Sequence, residues 1–216
     1  MQCHKIYIMS LTPEEIEKNW LRYRSLCEKL GDRSEAVIKM LDVLEEQLAL
    51  CPASSKKDFH NAFPGGLVEH SLRVLANSMK LIQAFGWKVP KDSLIIACLF
   101  HDIGKVGFPM DSGELKDAYL PQTEQWRIDK NGEEYMYNRD MPYMPTAQRS
   151  VYLLQKYGIN LKKDEYLSIL LNDGFVIDEN KGYCLKIDPL VYCVQTADYI
   201  STMQEKGGNC AEIWNK

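Results

Sequence analysis

Apolar positions recur with a helical period along most of the chain, so the expected fold is mainly α. Thr12 followed by Pro13, Glu14 and Glu15 has the N-cap, first-turn proline and acidic first turn of a helix start. The stripe Ile16, Trp20, Tyr23 and Leu26 or Cys27 then runs to a stop at Gly31. Ala36, Val37, Met40, Leu41, Leu44 and Leu48 make a second helix ending before Pro52, and together the two form a helical hairpin. A polar, irregular segment from Ala53 to Phe63 leads into Pro64-Gly65-Gly66. Leu67, His70, Ser71, Val74, Leu75, Met79 and Ile82 then mark a long helix closed near Gly86. Lys91 to Ile103 reads as a helix capped by Asp92 or Ser93 and stopped by Gly104, and its apolar run implies burial on most sides.

The segment from 105 to 144 is the least helical part, with several prolines and tyrosines. Gln125 to Ile128 and Glu133 to Tyr137 flank Asp129-Lys130-Asn131-Gly132, and Asn-Gly is the turn signal of a β-hairpin, expected here as a flap over one face. Helical periodicity resumes at Thr146 to Tyr157, Lys163 to Leu171 and Pro189 to Gln204. No internal repeat or low-complexity segment interrupts the pattern.

Length and composition narrow this picture. A chain of 216 residues with 45% hydrophobic content can bury one sizeable core, so one compact unit is expected: a hairpin over 1–52 packed on a body over 53–216, with the flap at about 105–144. The formal charge of −4, without long blocks of either sign, gives no global attraction to nucleic acid or an anionic membrane, although a local basic groove stays open. The longest wholly apolar run, Leu94 to Phe100, is far short of the roughly 20 residues of a membrane span. MQCHKIYIMS lacks the apolar core of a signal peptide, and a soluble cytoplasmic protein follows as the expectation. The seven cysteines are odd in number, widely spaced and free of any C-x-x-C pair, which fits reduced thiols acting as small core hydrophobes.

Candidate chemistry concentrates on few residues. Of the four histidines, His101 is followed directly by Asp102 in LFHDIGK, at the end of a helix that otherwise wants apolar side chains. Burying an aspartate without a charge partner or metal costs several kcal/mol. Adjacent helical positions diverge by about 100°, so this pair can grip one ion only near the helix end. Imidazole plus carboxylate suits zinc, manganese, iron, nickel or cobalt better than calcium. His70 in GGLVEHSLRV and Asp198 in VQTADYIS also stand on apolar stripes of separate helices. Any one of them alone is most simply a hydrogen-bonded core polar residue; their joint occurrence points to a metal site.

These residues resemble the HD superfamily of metal-dependent phosphohydrolases, whose signature is a histidine, then a His-Asp pair, then a distant aspartate on separate helices. The likeness lies in HNAFPGGLVEHSLRV, LFHDIGK and QTADYIS, spans about residues 58 to 204, and is greatest to the branch found in phages and in exoribonuclease-associated domains. The resemblance implies an HD-domain helical bundle in which His70, His101, Asp102 and Asp198 are metal ligands, Lys105 contacts the substrate phosphate, and His60 lines the substrate pocket. Two departures stand out. Where that branch has a histidine opening the helix after the flap, and H-x-G closing the next, this chain has Thr146-Ala147-Gln148-Arg149-Ser150 and Asn172-Asp173-Gly174. In binuclear members such histidines hold a second metal, so one divalent transition metal is expected here, a second only if Asp173 or water substitutes, and oxidative di-iron chemistry is disfavoured.

The implied reaction is hydrolysis of a phosphate ester, with Asp102 orienting water and Lys105 offsetting charge on the phosphoryl oxygens. Lys105 fits equally as a lysine satisfying a helix C-terminus. Trp126, Tyr135, Tyr137 and Tyr143 are candidates to stack on a nucleobase or simply to pack the flap. The expected partner is a small phosphorylated substrate, a nucleotide ahead of a polymer. The alternatives are a 3′–5′ exonuclease on single-stranded nucleic acid and a catalytically degenerate module binding a metal or nucleotide. No membrane partner is expected, and the apolar stripe of residues 12 to 50 serves either self-association or cover for the core, leaving the oligomeric state open.

Overall fold

The computed structural model describes residues 10–206. His4, Cys3, Cys210 and all but the last residue of MQCHKIYIMS lie outside the described residues. Helices α1 (Pro13–Cys27) and α2 (Ser34–Leu50) form the opening hairpin, followed by α3 (Gly66–Phe85) and α4 (Lys91–Phe100). An irregular region carries β1 (Gly107–Pro109), β2 (Leu115–Asp117), β3 (Tyr119–Pro121), the short helix α5 (Gln125–Asn131) and β4 (Tyr135–Tyr137). Helices α6 (Thr146–Lys156), α7 (Lys163–Leu170) and α8 (Pro189–Glu205) complete the mainly helical architecture. Among the described residues, no helix is long and apolar enough to cross a membrane.

The helix starts obey local chemistry. Thr12 Oγ1 accepts the Glu15 N–H at 3.3 Å while the Glu15 carboxylate accepts the Thr12 N–H at 2.8 Å, a reciprocal cap on α1. α4 is the central helix: Ser93 through Phe100 are all buried, and it packs against α1, α3, α7 and α8. Its burial on every side explains why its sequence carries no amphipathic stripe. Tyr23 of α1 reaches in to donate its hydroxyl to the Leu99 carbonyl at 2.7 Å. α1 and α2 thereby share one apolar core with α3 and α4, built around residues such as Val37, Leu41, Val74, Ile96 and Phe100.

Three expectations need correction. The start of α4 has Pro90 at its N-cap and no side-chain cap; the Asp92 carboxylate instead pairs with Arg33 and Lys162 at 2.8 and 2.9 Å. The α-helix also stops at Phe100 rather than Ile103, and Ile103–Lys105 continues as a 3-10 turn. Here Ser150 of α6 takes the backbone contacts a further helical turn would have used: its Oγ donates to the His101 carbonyl at 3.0 Å and accepts the Gly104 N–H at 2.8 Å. Finally, Gln125 to Asn131 is helical, not the first strand of a hairpin. Gly132, at φ 63°, closes that helix in the left-handed conformation, its N–H returning to the Arg127 and Ile128 carbonyls. Asn-Gly serves a helix C-cap as well as a hairpin turn, which is why the motif misled. The extended partner of Tyr135–Tyr137 is instead Tyr119–Pro121, and β1 pairs separately with β2, both antiparallel.

Candidate metal centre

His70 lies in the second turn of α3, a helix whose start depends on two glycines. Gly65 takes φ 82°, a left-handed conformation that disfavours a side chain. A Cβ on Gly66 would stand 2.2 Å from the Asn61 carbonyl oxygen, so only glycine lets the 53–63 loop close onto the helix. That closure brings the His60 ring centroid to 4.8 Å from that of His70. His101 caps the end of α4, its ring 5.3 Å from His70. Asp198 comes from α8, which packs along α3.

The three residues His70, His101 and Asp198 present one donor atom each within 4.8 Å of one another. His101 Nδ1 lies 2.9 Å from the Cys98 carbonyl; a carbonyl only accepts, so Nδ1 carries the proton and Nε2 is left as a lone pair. His70 Nδ1 is likewise engaged, 3.0 Å from both oxygens of Glu205, a carboxylate with no exposed side-chain surface. His70 Nε2 and His101 Nε2 are buried with no hydrogen-bond partner among the described residues. Asp198 Oδ1 is 3.1 Å from His70 Nε2 but off the line of a hydrogen bond. Buried nitrogens without partners are rare in folded proteins, and two of them converging on a carboxylate fit a metal ion as a common partner.

Asp102 stands beside this cluster. Its Oδ2 is 3.5 Å from His101 Nε2 and 2.6 Å from Lys105 Nζ, while Asn172 Nδ2 approaches Oδ1 at 3.4 Å. Burial opposes its charge, but Lys105 and His101 outweigh burial and hold its carboxyl well below the usual range. Asp198 is also lowered, the adjacent His70 and His101 overcoming burial. His70 shows the same balance from the other side: burial disfavours its cation, yet Asp198 and Glu205 raise it to about 10. The two carboxylates thus favour positive charge at the His70 ring. His60, by contrast, is pushed down to about 3 by burial and by the nearby Lys105 and His70, so it is a neutral ring.

The family model for the HD domain matches residues 67–203, well over half of the chain. The chain belongs to the HD-domain family. The matched span begins three residues before His70 and ends beyond Asp198, so it contains all four signature positions. HD domains form a superfamily of metal-dependent phosphohydrolases, and the donor cluster has the chemistry of their metal sites. No curated protein and no solved structure shows a significant match to the chain.

The departures from the HD pattern acquire a physical account. Asn172, where the resembling branch has a histidine, turns its amide toward Asp102. Arg149 is buried in the first turns of α6; its guanidinium donates to the Gly104 carbonyl, to the Tyr137 hydroxyl at 2.6 Å and to the Met144 carbonyl at 3.3 Å. Arg149 and Ser150 together clamp the His101–Gly104 turn from behind. Neither they nor Glu205 were singled out from the sequence. Glu205 had a readable signal, since it lies seven residues after Asp198 and hence on the same face of α8.

The flap aromatics separate by position. Trp126 bonds Glu124 at 2.7 Å and lies under the Arg127 guanidinium, so it packs locally. Tyr143 is 87% exposed, whereas Tyr137 supports Arg149. Tyr135 faces a cleft that Lys105 also lines.

Proposed function

We propose that the chain is a metal-dependent phosphohydrolase that cleaves a phosphate ester of a nucleotide or a related small phosphorylated compound. The observation that carries this reading is the pair of buried, unpartnered Nε2 atoms of His70 and His101 converging with the Asp198 carboxylate. These three, with Asp102 alongside, would hold one divalent transition metal. When bound, such an ion supplies Lewis acidity to the phosphoryl group and to the attacking water.

The chain's own residues do the rest. The Cys98 carbonyl and the Glu205 carboxylate engage Nδ1 of His101 and of His70, so that each ring turns its Nε2, which on His70 would give up its proton when a metal binds, to the same space. Asp102, kept ionised by Lys105, accepts a hydrogen bond from water and orients it. Lys105 carries a compact positive charge within reach of the same space and offsets charge on the non-bridging phosphoryl oxygens. His60, neutral and with Nε2 buried and unpartnered, offers a hydrogen bond at the wall of the pocket.

The test combines metal analysis with turnover. Protein purified without chelator is expected to hold about one equivalent of transition metal, lost in His101→Ala. Phosphate release from nucleoside monophosphates is expected to vanish in Asp198→Ala and to fall about a hundredfold in Lys105→Ala. No metal and no turnover, even after incubation with manganese, would overturn the proposal in favour of a degenerate binding module.

A further inference from the structure

A hollow of about 420 Å³ opens between α1, α3 and the end of α8. Asn19 and Arg22 of α1, Arg73, Asn77 and Lys80 of α3, and Gln204 of α8 stand around it. Its volume falls in the range of small-molecule pockets, about 300–1,000 Å³, and none of the residues lining it is a candidate metal ligand. Three cationic side chains line this one space, in a chain whose formal charge is −4. Like charges around a hollow repel one another, and neither Arg22 nor Lys80 has an ion-pair partner among the described residues. An anion in the hollow would relieve that repulsion.

We infer that this hollow binds a small anion with two or more linked phosphoryl groups, at a site separate from the metal centre. Glu69, the one carboxylate among the described residues lining it, is turned to protein partners: Oε1 accepts from Arg73 and Oε2 from Asn61. Arg73 Nε in turn lies 3.3 Å from Glu205 Oε1. The two carboxylates hold the guanidinium in place, while its Nη1 makes no hydrogen bond among the described residues. Arg73 is thus a preorganised donor, and Arg22 and Lys80 supply the uncompensated charge. Gln204 Oε1 accepts from Asn77 Nδ2 at 3.0 Å, which orients the amide and leaves its nitrogen to donate. Spacing selects the class of anion. Arg73 and Lys80 stand seven residues apart on one stripe of α3, about 10 Å along its axis, and Arg22 meets them from α1. A single phosphate neutralises one end of that row, whereas linked phosphoryl groups span it. Each phosphoryl group also brings two or three oxygens, which suits donors arriving from three helices.

The test is calorimetric titration of pyrophosphate into the full chain freed of metal by a chelator, beside orthophosphate and citrate. One equivalent of pyrophosphate is expected to bind, at least about tenfold tighter than either of the others. Arg22→Gln and Lys80→Gln alter exposed side chains outside the metal centre, so both variants are expected to keep the melting temperature and metal content of the wild type. Combined, they are expected to weaken pyrophosphate about tenfold or more. Lys105→Ala is expected to bind pyrophosphate as the wild type does. No binding, equal binding by the double variant, or equal affinity for orthophosphate or citrate would overturn the inference. A loss in Lys105→Ala would do the same, since it would put the anion at the metal centre. Because the titration needs neither metal nor turnover, its failure leaves the phosphohydrolase reading untouched, and failure of that reading leaves the hollow's ligand standing.

Discussion

His70 meets carboxylates on both sides of its ring, Asp198 toward Nε2 and Glu205 at Nδ1, and both come from α8. Two helical turns separate them, so one helix face delivers both the candidate ligand and the group that orients its neighbour. A carboxylate on the far nitrogen of a metal-binding imidazole fixes its tautomer and raises its basicity. Glu205→Gln keeps a side chain of the same shape but removes that charge, and metal affinity is expected to fall about 10–100-fold. Competition with a chelating dye would measure the loss, and melting would show whether the fold persists; an unchanged affinity in a folded variant would show that Glu205 serves packing alone. The four signature residues were legible because a His-Asp pair inside an apolar run violates the pattern around it. Glu205 was missed although its seven-residue spacing from Asp198 offered a signal, since that spacing gains meaning only once the fold shows the glutamate buried against His70.

At the scale of elements, the turn after α4 is held by α6. Gly104 lies so close to α6 that a Cβ there would stand 2.4 Å from the Thr146 carbonyl oxygen and 2.7 Å from the Ser150 nitrogen. Both are backbone atoms and cannot yield without moving the helix. Gly104→Ala is therefore expected to destabilise the protein by about 1–3 kcal/mol through overpacking, and to loosen metal binding because His101 and Asp102 ride on the same turn. Urea denaturation with and without metal would check both effects; equal stability of variant and wild type would mean that α6 is not fixed at this contact. The sequence marked Gly104 only as a helix stop, because the need for glycine arises from an element some 40 residues later. A related limit explains the misread hairpin: Asn131-Gly132 satisfies local rules for two different structures, and the strand that pairs with Tyr135–Tyr137 lies before α5 rather than next to the turn.

For the molecule as a whole, one ion network joins the opening hairpin to the body. Arg33, in the turn between α1 and α2, binds Asp92 of α4 at 2.8 Å and Glu165 of α7 at 2.6 Å. Glu165 has no exposed side-chain surface, and it also accepts the Lys162 N–H at 2.8 Å. Burial alone would raise its carboxyl, but Arg33 and the further hydrogen bonds hold it below its ordinary 4.5. The sign of the pH effect follows from that lowering. The unfolded chain takes up the Glu165 proton first as the medium is acidified, so the stabilisation is complete above about pH 4.5 and is lost progressively as pH falls toward the lower folded value. Glu165→Gln removes the charge at every pH and leaves Arg33 with the partly exposed Asp92, at a cost of roughly 3 kcal/mol near neutrality. Thermal unfolding of wild type and variant between pH 7 and about pH 3 is expected to show the gap between them closing in acid. A gap that stays constant with pH would mean that Glu165 contributes packing rather than charge to the joint between the hairpin and the body.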